Sequence, residues 1–424
     1  MQSDPAPHTS QRPSDTTART ALRRVVPLVF AVLLLDGYDT TALGFAIPAL
    51  AREWDLAPVA FTPALVATNC GVVIGYVLCG RLAARFGRRA VISAGTLAFA
   101  AGSALTVAAQ DPAQLAAIRA ATAVGLGVVL PTCISLAADH APAARRGAYT
   151  VGVTLALSVG ATAGGLIGGK LIAAYGWTSV FWVGALLPAA LVPALIRWLP
   201  AERTGPRRAT SDERPPVGLT QLFTAGAATS TLLLWSFAFL VFTATFALQA
   251  WLPTVLATAY GAAPEDAPLA SAALGFGGVV GGLALVPAAA RFGIPRALVV
   301  AIPAAGATLV VAGGMGTADI WLFMVIAVTG AGVSVGLIGQ AALAAQTYRP
   351  EVRTTGIAGA AAMGRVGSVV GPAVAGALLG AGVAGQELVL VVAVPVFGAA
   401  LIALVIAWRR NGLGTEASAD RHGG

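Results

Sequence analysis

The sequence contains few charged residues and few cysteines. Asp, Glu, Lys and Arg make up 10% of its 424 residues, whereas a soluble domain carries about 25%. The three cysteines, Cys70, Cys79 and Cys133, all lie in apolar runs, which indicates small buried side chains rather than a disulfide framework or a metal site. Together with a mean hydropathy of +0.81, the shortage of charge excludes an ordinary soluble protein and indicates a chain that resides in a lipid bilayer.

Signatures of enzymatic chemistry are missing as well. The sequence has no nucleotide-binding loop, no metal-ligating cluster and no nucleophile–base pattern that stands out. We therefore expect neither an enzyme nor an ATP-driven pump, and we expect no cofactor and no bound metal.

Twelve apolar segments are long enough to cross a bilayer, which takes about 20 residues. They lie near residues 24–50, 61–83, 90–109, 113–137, 147–172, 177–198, 229–257, 269–290, 296–315, 319–344, 354–380 and 387–408. Arg23 and Arg24 before the first segment imitate a signal peptide, but the eleven further segments argue against that interpretation. The segments predict an all-α membrane protein with twelve transmembrane helices.

The segments form two groups of six. We predict a disordered cytoplasmic tail over 1–22, an N-terminal six-helix bundle over 23–198, a cytoplasmic central loop over 199–228, a C-terminal six-helix bundle over 229–410 and a cytoplasmic tail over 411–424. The sequence AARFG occurs at 83–87 and again at 289–293, and the glycine spacing of 160–169 recurs at 367–376. This repetition indicates a duplicated six-helix unit, a plan typical of secondary transporters that bind substrate between the halves.

Basic residues are unevenly divided between the two sides of the predicted membrane. Of the 26 Lys and Arg residues, only Arg52 and Lys170 fall in loops of one side, and Arg119 and Arg365 fall within spans. All the others lie in tails and loops of the other side, which the positive-inside rule makes the cytoplasm. We therefore expect a multi-pass protein of the cell inner membrane with both termini cytoplasmic. The same distribution explains the net charge of +8 without a nucleic-acid partner.

Two carboxylates interrupt the first apolar segment. Asp36 and Asp39 lie near its middle, where a charged side chain costs about 2.5–3.5 kcal/mol on insertion scales. Residues three apart share one face of a helix, with about 4.5 Å of rise between them. Burial and a neighbouring like charge both favour a bound proton, so the pair is predicted to bind and release protons. The alternative interpretation is an ion pair with Arg119 that only locks helices together.

Arg365 lies in the middle of the eleventh span, among small residues. A guanidinium group keeps its charge and offers a planar pair of donors that suits a carboxylate. We interpret Arg365 as the anchor for a substrate carboxylate. The alternative is that it neutralises an aspartate of the first span.

The motifs resemble those of a known family of transporters. GRLAARFGRR at 80–89 is similar to the loop between helices two and three of the major facilitator superfamily, although Ala84 replaces the usual Asp of that loop. DGYD at 36–39, WLPT at 251–254 and GRVGSVVGP at 364–372 resemble the aromatic acid:proton symporters within it. The resemblance covers residues 22–410. It implies a fold of two pseudo-symmetric six-helix halves, proton coupling at the acidic pair and a carboxylate site at Arg365.

The resemblance also implies a role in proton coupling for Arg119, which otherwise is predicted to snorkel to the outer interface. The candidates for stacking on an aromatic substrate ring are Tyr38, Phe45, Phe246 and Trp251, for which packing or an interfacial belt is the alternative. The candidates for gating are Arg85, Arg88, Arg89, Asp139 and Arg353. Asp139 opposes the dipole at the end of its helix, and we expect Arg85, Arg88 or Arg145 to be its partner.

We therefore expect a proton-coupled symporter that imports aromatic carboxylates, such as a hydroxybenzoate, by alternating access. Its expected partners are the small aromatic acid, protons and the lipid bilayer, and we expect it to act as a monomer. One alternative is a proton-driven antiporter that exports drugs or metabolites, in which proton and solute move in opposite directions. The other is a membrane sensor, which binds its solute without flux.

Overall fold

The computed structural model describes residues 15–142, 145–201, 222–223, 228–348 and 352–419. Within these ranges the chain forms twelve long helices and a short 3₁₀ helix at Pro58–Phe61. The long helices are α1 (Asp15–Glu53), α2 (Thr62–Phe86), α3 (Arg88–Thr106), α4 (Pro112–His140), α5 (Arg146–Tyr175), α6 (Thr178–Trp198), α7 (Ala228–Ala259), α8 (Pro268–Phe292), α9 (Ile294–Gly313), α10 (Ile320–Thr347), α11 (Arg353–Gly380) and α12 (Gly385–Ala419). Most of the predicted central loop and the ends of both predicted tails lie outside the described residues.

Each of the twelve described helices is long and apolar enough to cross a membrane. The mean hydropathy of the most apolar 18-residue window ranges from 1.2 in α3 to 3.0 in α12. A helix suits a bilayer because it satisfies its backbone hydrogen bonds within one segment. The predicted all-α fold with twelve transmembrane helices is confirmed for the described part of the chain, and the protein is a multi-pass membrane protein.

Two helices extend past the boundaries that hydropathy predicts. α1 begins at Asp15, inside the segment 1–22 predicted as a disordered tail, and α12 continues to Ala419, beyond residue 410. The apolar part of α1 begins only at Leu22, and that of α12 ends at Arg409. Hydropathy marks where a helix leaves the bilayer, whereas its backbone hydrogen bonds can continue past that point. The structure therefore has a helix over residues 15–22, where a disordered tail was predicted, and continues a helix into the second predicted tail over 411–419.

The two halves repeat the same internal packing. In the first half α2 packs on α4, α1 on α5 and α3 on α6; in the second, α8 packs on α10, α7 on α11 and α9 on α12. The duplicated AARFG segments end α2 and α8 in the same way, at Gly87 with φ 81° and at Gly293 with φ 82°. Glycine adopts this left-handed region without the steric cost that a β-carbon imposes. The repeat in the sequence is therefore also a repeat in backbone conformation.

The halves meet mainly through three helix pairs, α5 with α8, α2 with α11 and α1 with α7. Small residues allow close approach at this interface. Gly165 of α5, for example, lies so near α8 that a β-carbon there would be 2.8 Å from Cα of Ala272. These contacts place α1, α2, α7 and α11 along the boundary between the halves, and the polar residues of the predicted spans lie on or behind these helices.

Candidate functional site

Asp39 of α1 forms a buried ion pair with Arg119 of α4. The guanidinium donates from Nη2 to Oδ2 of Asp39 at 2.8 Å and from Nη1 to Oδ1 at 3.2 Å. Ser103 of α3 donates its hydroxyl to the same Oδ1, and the Phe181 ring of α6 lies 5.8 Å from the Arg119 guanidinium carbon. The pair therefore joins α1, α3, α4 and α6 inside the first half.

The surroundings of this pair exclude water. Asp39 and Arg119 each have 0% exposure. Arg119 Nη2 also donates to the main-chain oxygen of Asp39 at 3.3 Å, and Nε has no partner within the described chain. Gly184 of α6 packs against the pair, and a β-carbon there would lie 3.4 Å from Oδ1 of Asp39, an ordinary contact distance. Arg119 thus does not snorkel to an interface, and Asp39 makes the ion pair that the sequence offered as the alternative interpretation.

Asp36 lies one helical turn before Asp39 but has different neighbours. It is 4% exposed, and Thr40 of the same helix donates a hydrogen bond to its Oδ1 at 3.2 Å. The Asp36 carboxylate interacts electrostatically with Asp39 and with Arg365 of the other half. The two aspartates, which the sequence treats as a pair, are therefore inequivalent: one is held by an arginine, and the other receives a hydrogen bond from its own helix.

Arg365 of α11 contacts the first half through Tyr76 of α2. Its Nη2 donates to the Tyr76 hydroxyl at 2.5 Å, and its guanidinium carbon lies 4.1 Å from the centre of the same ring. A second ring, that of Phe242 in α7, lies 5.8 Å from the guanidinium carbon. Arg365 is half-buried. A cation between two aromatic faces is favourably placed, and its charge lies where the two halves meet.

Phe242 and Phe246 of α7 form a stacked pair beside Arg365. Their ring centres are 5.9 Å apart, with 14° between the ring planes. Gly364 of α11 gives Phe242 this position, because a β-carbon there would come within 2.9 Å of the ring. The spacing that relates Ala83 to Ala289 also relates Asp36 to Phe242. At equivalent places, the first half thus carries a carboxylate and the second half carries an aromatic ring.

Tyr76 and Phe242 are the site residues that sequence reasoning missed. One signal for Tyr76 is present in the sequence: it lies in the middle of an otherwise apolar span, where a buried phenol hydroxyl requires a hydrogen-bond partner. For Phe242 the signal is that its position in the second repeat is equivalent to the position of Asp36 in the first repeat. Neither signal identifies the partner, because the contact joins helices that are far apart along the chain.

Three of the four predicted ring-stacking residues are engaged in packing. The Tyr38 hydroxyl donates to the main-chain oxygen of Val180 at 2.8 Å, and its ring makes an edge contact with Phe45 at 6.3 Å. Trp251 Nε1 donates to the main-chain oxygen of Pro372 at 2.9 Å. All three are at most 3% exposed. The structure brings only Phe246, through Phe242, into the surroundings of Arg365.

The predicted gating residues lie at the ends of helices. Arg88 is the partner of Asp139, with Nη1 2.6 Å from Oδ2, and it also donates to the Ser135 hydroxyl at 3.0 Å. Arg85 extends over the ring of Phe86, with 5.3 Å between the guanidinium carbon and the ring centre. Two further candidates complete the set: Arg353 Nε donates to the main-chain oxygen of Tyr348 at 3.4 Å, and Arg89 is half-buried in the first turn of α3.

The central residues provide an acid, a cation and aromatic surfaces. Asp36 can carry a proton, Arg365 can bind an anion, and Tyr76, Phe242 and Phe246 present ring faces beside that cation. No group of three or more His, Cys, Asp or Glu side chains that could hold a metal ion occurs among the described residues. The arrangement is thus suited to the reversible binding of a proton and an organic anion.

Sequence comparison matches the chain to one family model and to several curated transporters. The model of the Major Facilitator Superfamily matches residues 29–309 and 234–421. The gallate transporter of Pseudomonas putida is 29% identical, with 90% of each chain covered. The 4-hydroxybenzoate transporter PcaK of the same species is 29% identical, with 85% of this chain and 86% of PcaK covered. The 3-(3-hydroxy-phenyl)propionate transporter of Escherichia coli strain K12 is 32% identical, with 88% and 90% covered.

Solved structures with the same fold are more distant in sequence. The nucleoside transporter NupG superposes with a TM-score of 0.72 at 14% identity, with 91% of this chain and 99% of NupG covered. A bacterial homolog of the human lysosomal transporter Spinster, in an inward-facing and unoccupied conformation, gives a TM-score of 0.69 at 18% identity, with 91% and 97% covered. At these identities the likeness concerns the fold alone.

Proposed function

Because the chain belongs to the major facilitator superfamily, we propose that it is a proton-coupled symporter that imports aromatic carboxylates by alternating access. Family membership makes it a transporter and not an enzyme, and it confirms the resemblance that the motifs indicated. The relatives named above are transporters of gallate, 4-hydroxybenzoate and 3-(3-hydroxy-phenyl)propionate. All three are carboxylates that carry a phenol ring, which supports a hydroxybenzoate-like substrate for this chain.

The observation that carries the proposal is the different environment of the two aspartates. Asp39 has a buried arginine and a serine hydroxyl as partners, so its negative charge is compensated within the first half. Asp36 is buried with a hydrogen bond from Thr40. An ionised carboxylate that has no cation in hydrogen-bond contact is costly to enclose, and a bound proton removes that cost. We assign the exchangeable proton to Asp36, and to Asp39 and Arg119 the role of holding the helices around it.

The substrate site in this proposal lies at Arg365. The guanidinium would bind the carboxylate through two parallel hydrogen bonds, the geometry that this pair of groups favours. Phe242 and Phe246 lie beside the guanidinium and would contact the aromatic ring of the substrate. Tyr38, Phe45 and Trp251 we assign to packing, because their polar atoms and ring edges are already engaged.

The transport cycle follows from these two charges. In the outward-open state Asp36 takes up a proton and Arg365 binds the anion, so that neither charge is left uncompensated when the cavity closes. The halves then rock about the site, release both ligands to the cytoplasm, and return empty. The Arg88–Asp139 pair, together with Arg85, Arg89 and Arg353, would control the opening of the cavity on the cytoplasmic side. We propose that the protein does this as a monomer in the inner membrane, with both termini cytoplasmic.

Transport in proteoliposomes tests the proposal. Uptake of radiolabelled 4-hydroxybenzoate is measured under an inward proton gradient, beside a small panel of other acids. Asp36→Asn is expected to abolish accumulation driven by the gradient while retaining exchange of labelled for unlabelled acid, because the anion site is intact. Arg365→Ala is expected to lose both activities. Asp111→Asn, at the half-buried N-cap of α4, and Arg197→Ala, exposed at the end of α6, are matched controls with uptake at the wild-type level.

Each other outcome contradicts a defined part of the proposal. Gradient-driven uptake that persists in both site variants would overturn the assignment of Asp36 and Arg365 and leave symport standing. Proton efflux on addition of cationic drugs, without uptake of any acid, would identify a proton antiporter. Saturable binding of an acid without flux would identify a sensor.

A further inference from the structure

The contact between Tyr76 and Arg365 is not needed for the proton site, yet it joins the two halves at the substrate site. Tyr76 lies on α2 of the first half and Arg365 on α11 of the second, 289 residues apart in sequence. Both parts of the tyrosine are used: the hydroxyl accepts a hydrogen bond at 2.5 Å, and the ring lies under the guanidinium at 4.1 Å. Tyr76 thus provides Arg365 with both a hydrogen-bond acceptor and an aromatic surface.

These two interactions are the ones that an aromatic carboxylate would make. Its carboxylate would accept hydrogen bonds from the guanidinium, and its ring would lie against the neighbouring aromatic faces. A phenol oxygen is a neutral acceptor, whereas a carboxylate carries a full negative charge and can accept two parallel hydrogen bonds from a guanidinium. A carboxylate therefore has the advantage over the Tyr76 hydroxyl when both compete for Arg365.

We propose that Tyr76 is an internal placeholder, whose hydroxyl occupies the anion-binding position of Arg365 while the site is empty and is displaced by the substrate carboxylate. The inference rests on the proposed role of Arg365 as a carboxylate anchor. In the empty carrier the placeholder gives the guanidinium a hydrogen-bond acceptor and ties α2 to α11. Substrate binding breaks this tie, so that occupancy of the site changes the contact between the halves.

Tyr76→Phe removes the hydroxyl and keeps the ring, so it separates the two interactions. Without a competing acceptor, 4-hydroxybenzoate is expected to bind the purified full-length protein about tenfold more tightly, the change that corresponds to ~1.4 kcal/mol, near the lower limit for a hydrogen bond to a charged group. Tyr260→Phe is the matched control, because that hydroxyl donates to the main-chain oxygen of Ala312 inside the second half. Isothermal titration calorimetry in detergent measures both dissociation constants.

A second readout needs no substrate. Phenylglyoxal reacts with free guanidinium groups, and peptide mass spectrometry follows its incorporation at Arg365 in the empty protein. Loss of the Tyr76 hydroxyl is expected to accelerate this labelling about threefold or more, on the scale of one hydrogen bond, whereas Tyr260→Phe is expected to label at the wild-type rate. Tyr76→Leu is a second variant with the same expected direction, in case the phenylalanine variant does not fold.

The two readouts separate this inference from the proposed function. Binding that is equal or weaker in Tyr76→Phe, beside a normal Tyr260→Phe, would overturn the placeholder and make the hydroxyl either inert or part of the binding site. Labelling of Arg365 at an unchanged rate would overturn it as well. If no acid binds the wild-type protein, the proposed substrate class fails, and the labelling rates alone decide whether Tyr76 shields Arg365.

Discussion

Removing either member of the Arg119–Asp39 pair is expected to destabilise the protein strongly. Both side chains are fully buried, and two hydrogen bonds of 2.8 Å and 3.2 Å join them. Arg119→Met or Asp39→Leu leaves the other charge in the helix bundle without its counter-charge, because water does not reach it. Breaking a buried pair in this way costs about 3–5 kcal/mol.

The double variant Asp39→Leu/Arg119→Met distinguishes this cause from lost packing. It removes both charges and fills the space with apolar groups, and such replacements of a buried pair are often close to neutral. The expected coupling energy between the two sites is therefore about 3 kcal/mol or more. Losses that simply add in the double variant would instead show that the two sites do not interact.

Thermal unfolding in detergent measures all four proteins. The chain has 8 tryptophans, so intrinsic fluorescence reports unfolding without a dye. For a protein of this size we expect each single variant to lower Tm by about 5 °C, and the double variant to recover at least half of that loss. Single variants that unfold at the wild-type temperature, or a double variant that loses the sum of both, would refute the buried ion pair.

Two further predictions concern neighbouring parts of the fold. Gly160→Val is expected to lower Tm by several degrees, since a β-carbon there would lie 2.9 Å from the main-chain nitrogen of Tyr38 and would force α1 away from α5. Gly152→Val is the control, because a β-carbon at that position of the same helix would meet open space. Equal losses of Tm in both variants would contradict the close approach of α1 and α5. Arg88→Gln is expected to change the free energy of unfolding by less than about 1 kcal/mol in the same assay, because the side chain of its partner, Asp139, is 43% exposed. A loss as large as that of Arg119→Met would contradict this expectation.

The membrane fold could be predicted well because its signals are local. Each span is marked by a run of apolar residues, and the repeat of AARFG at 83–87 and 289–293 can be recognised without any contact information. The structure has a helix for each predicted span and the same left-handed glycine at both repeats. Helix ends were less predictable, as at Asp15 and Ala419, because hydropathy reports the bilayer and not the hydrogen bonding of the backbone.

The candidate site was only partly predictable. A charge inside an apolar span marks a residue as important, and this drew attention to Asp36, Asp39, Arg119 and Arg365 from composition alone. The sequence also offered Tyr38, two residues from Asp36, as a ring that could stack on the substrate. On a helix those two positions point about 200° apart, and Tyr38 instead hydrogen-bonds to Val180 in α6.

Composition and spacing were enough to establish the number of spans, the duplication and the presence of buried charges, because each of these is a property of neighbouring residues. Which charge pairs with which was decided by the tertiary structure alone. Asp39 and Arg119 are 80 residues apart, and Tyr76 and Arg365 are 289 apart. Such partners become neighbours only when the helices pack, and the packing decides that Asp39 pairs with an arginine whereas Asp36 receives a hydrogen bond from Thr40 of its own helix.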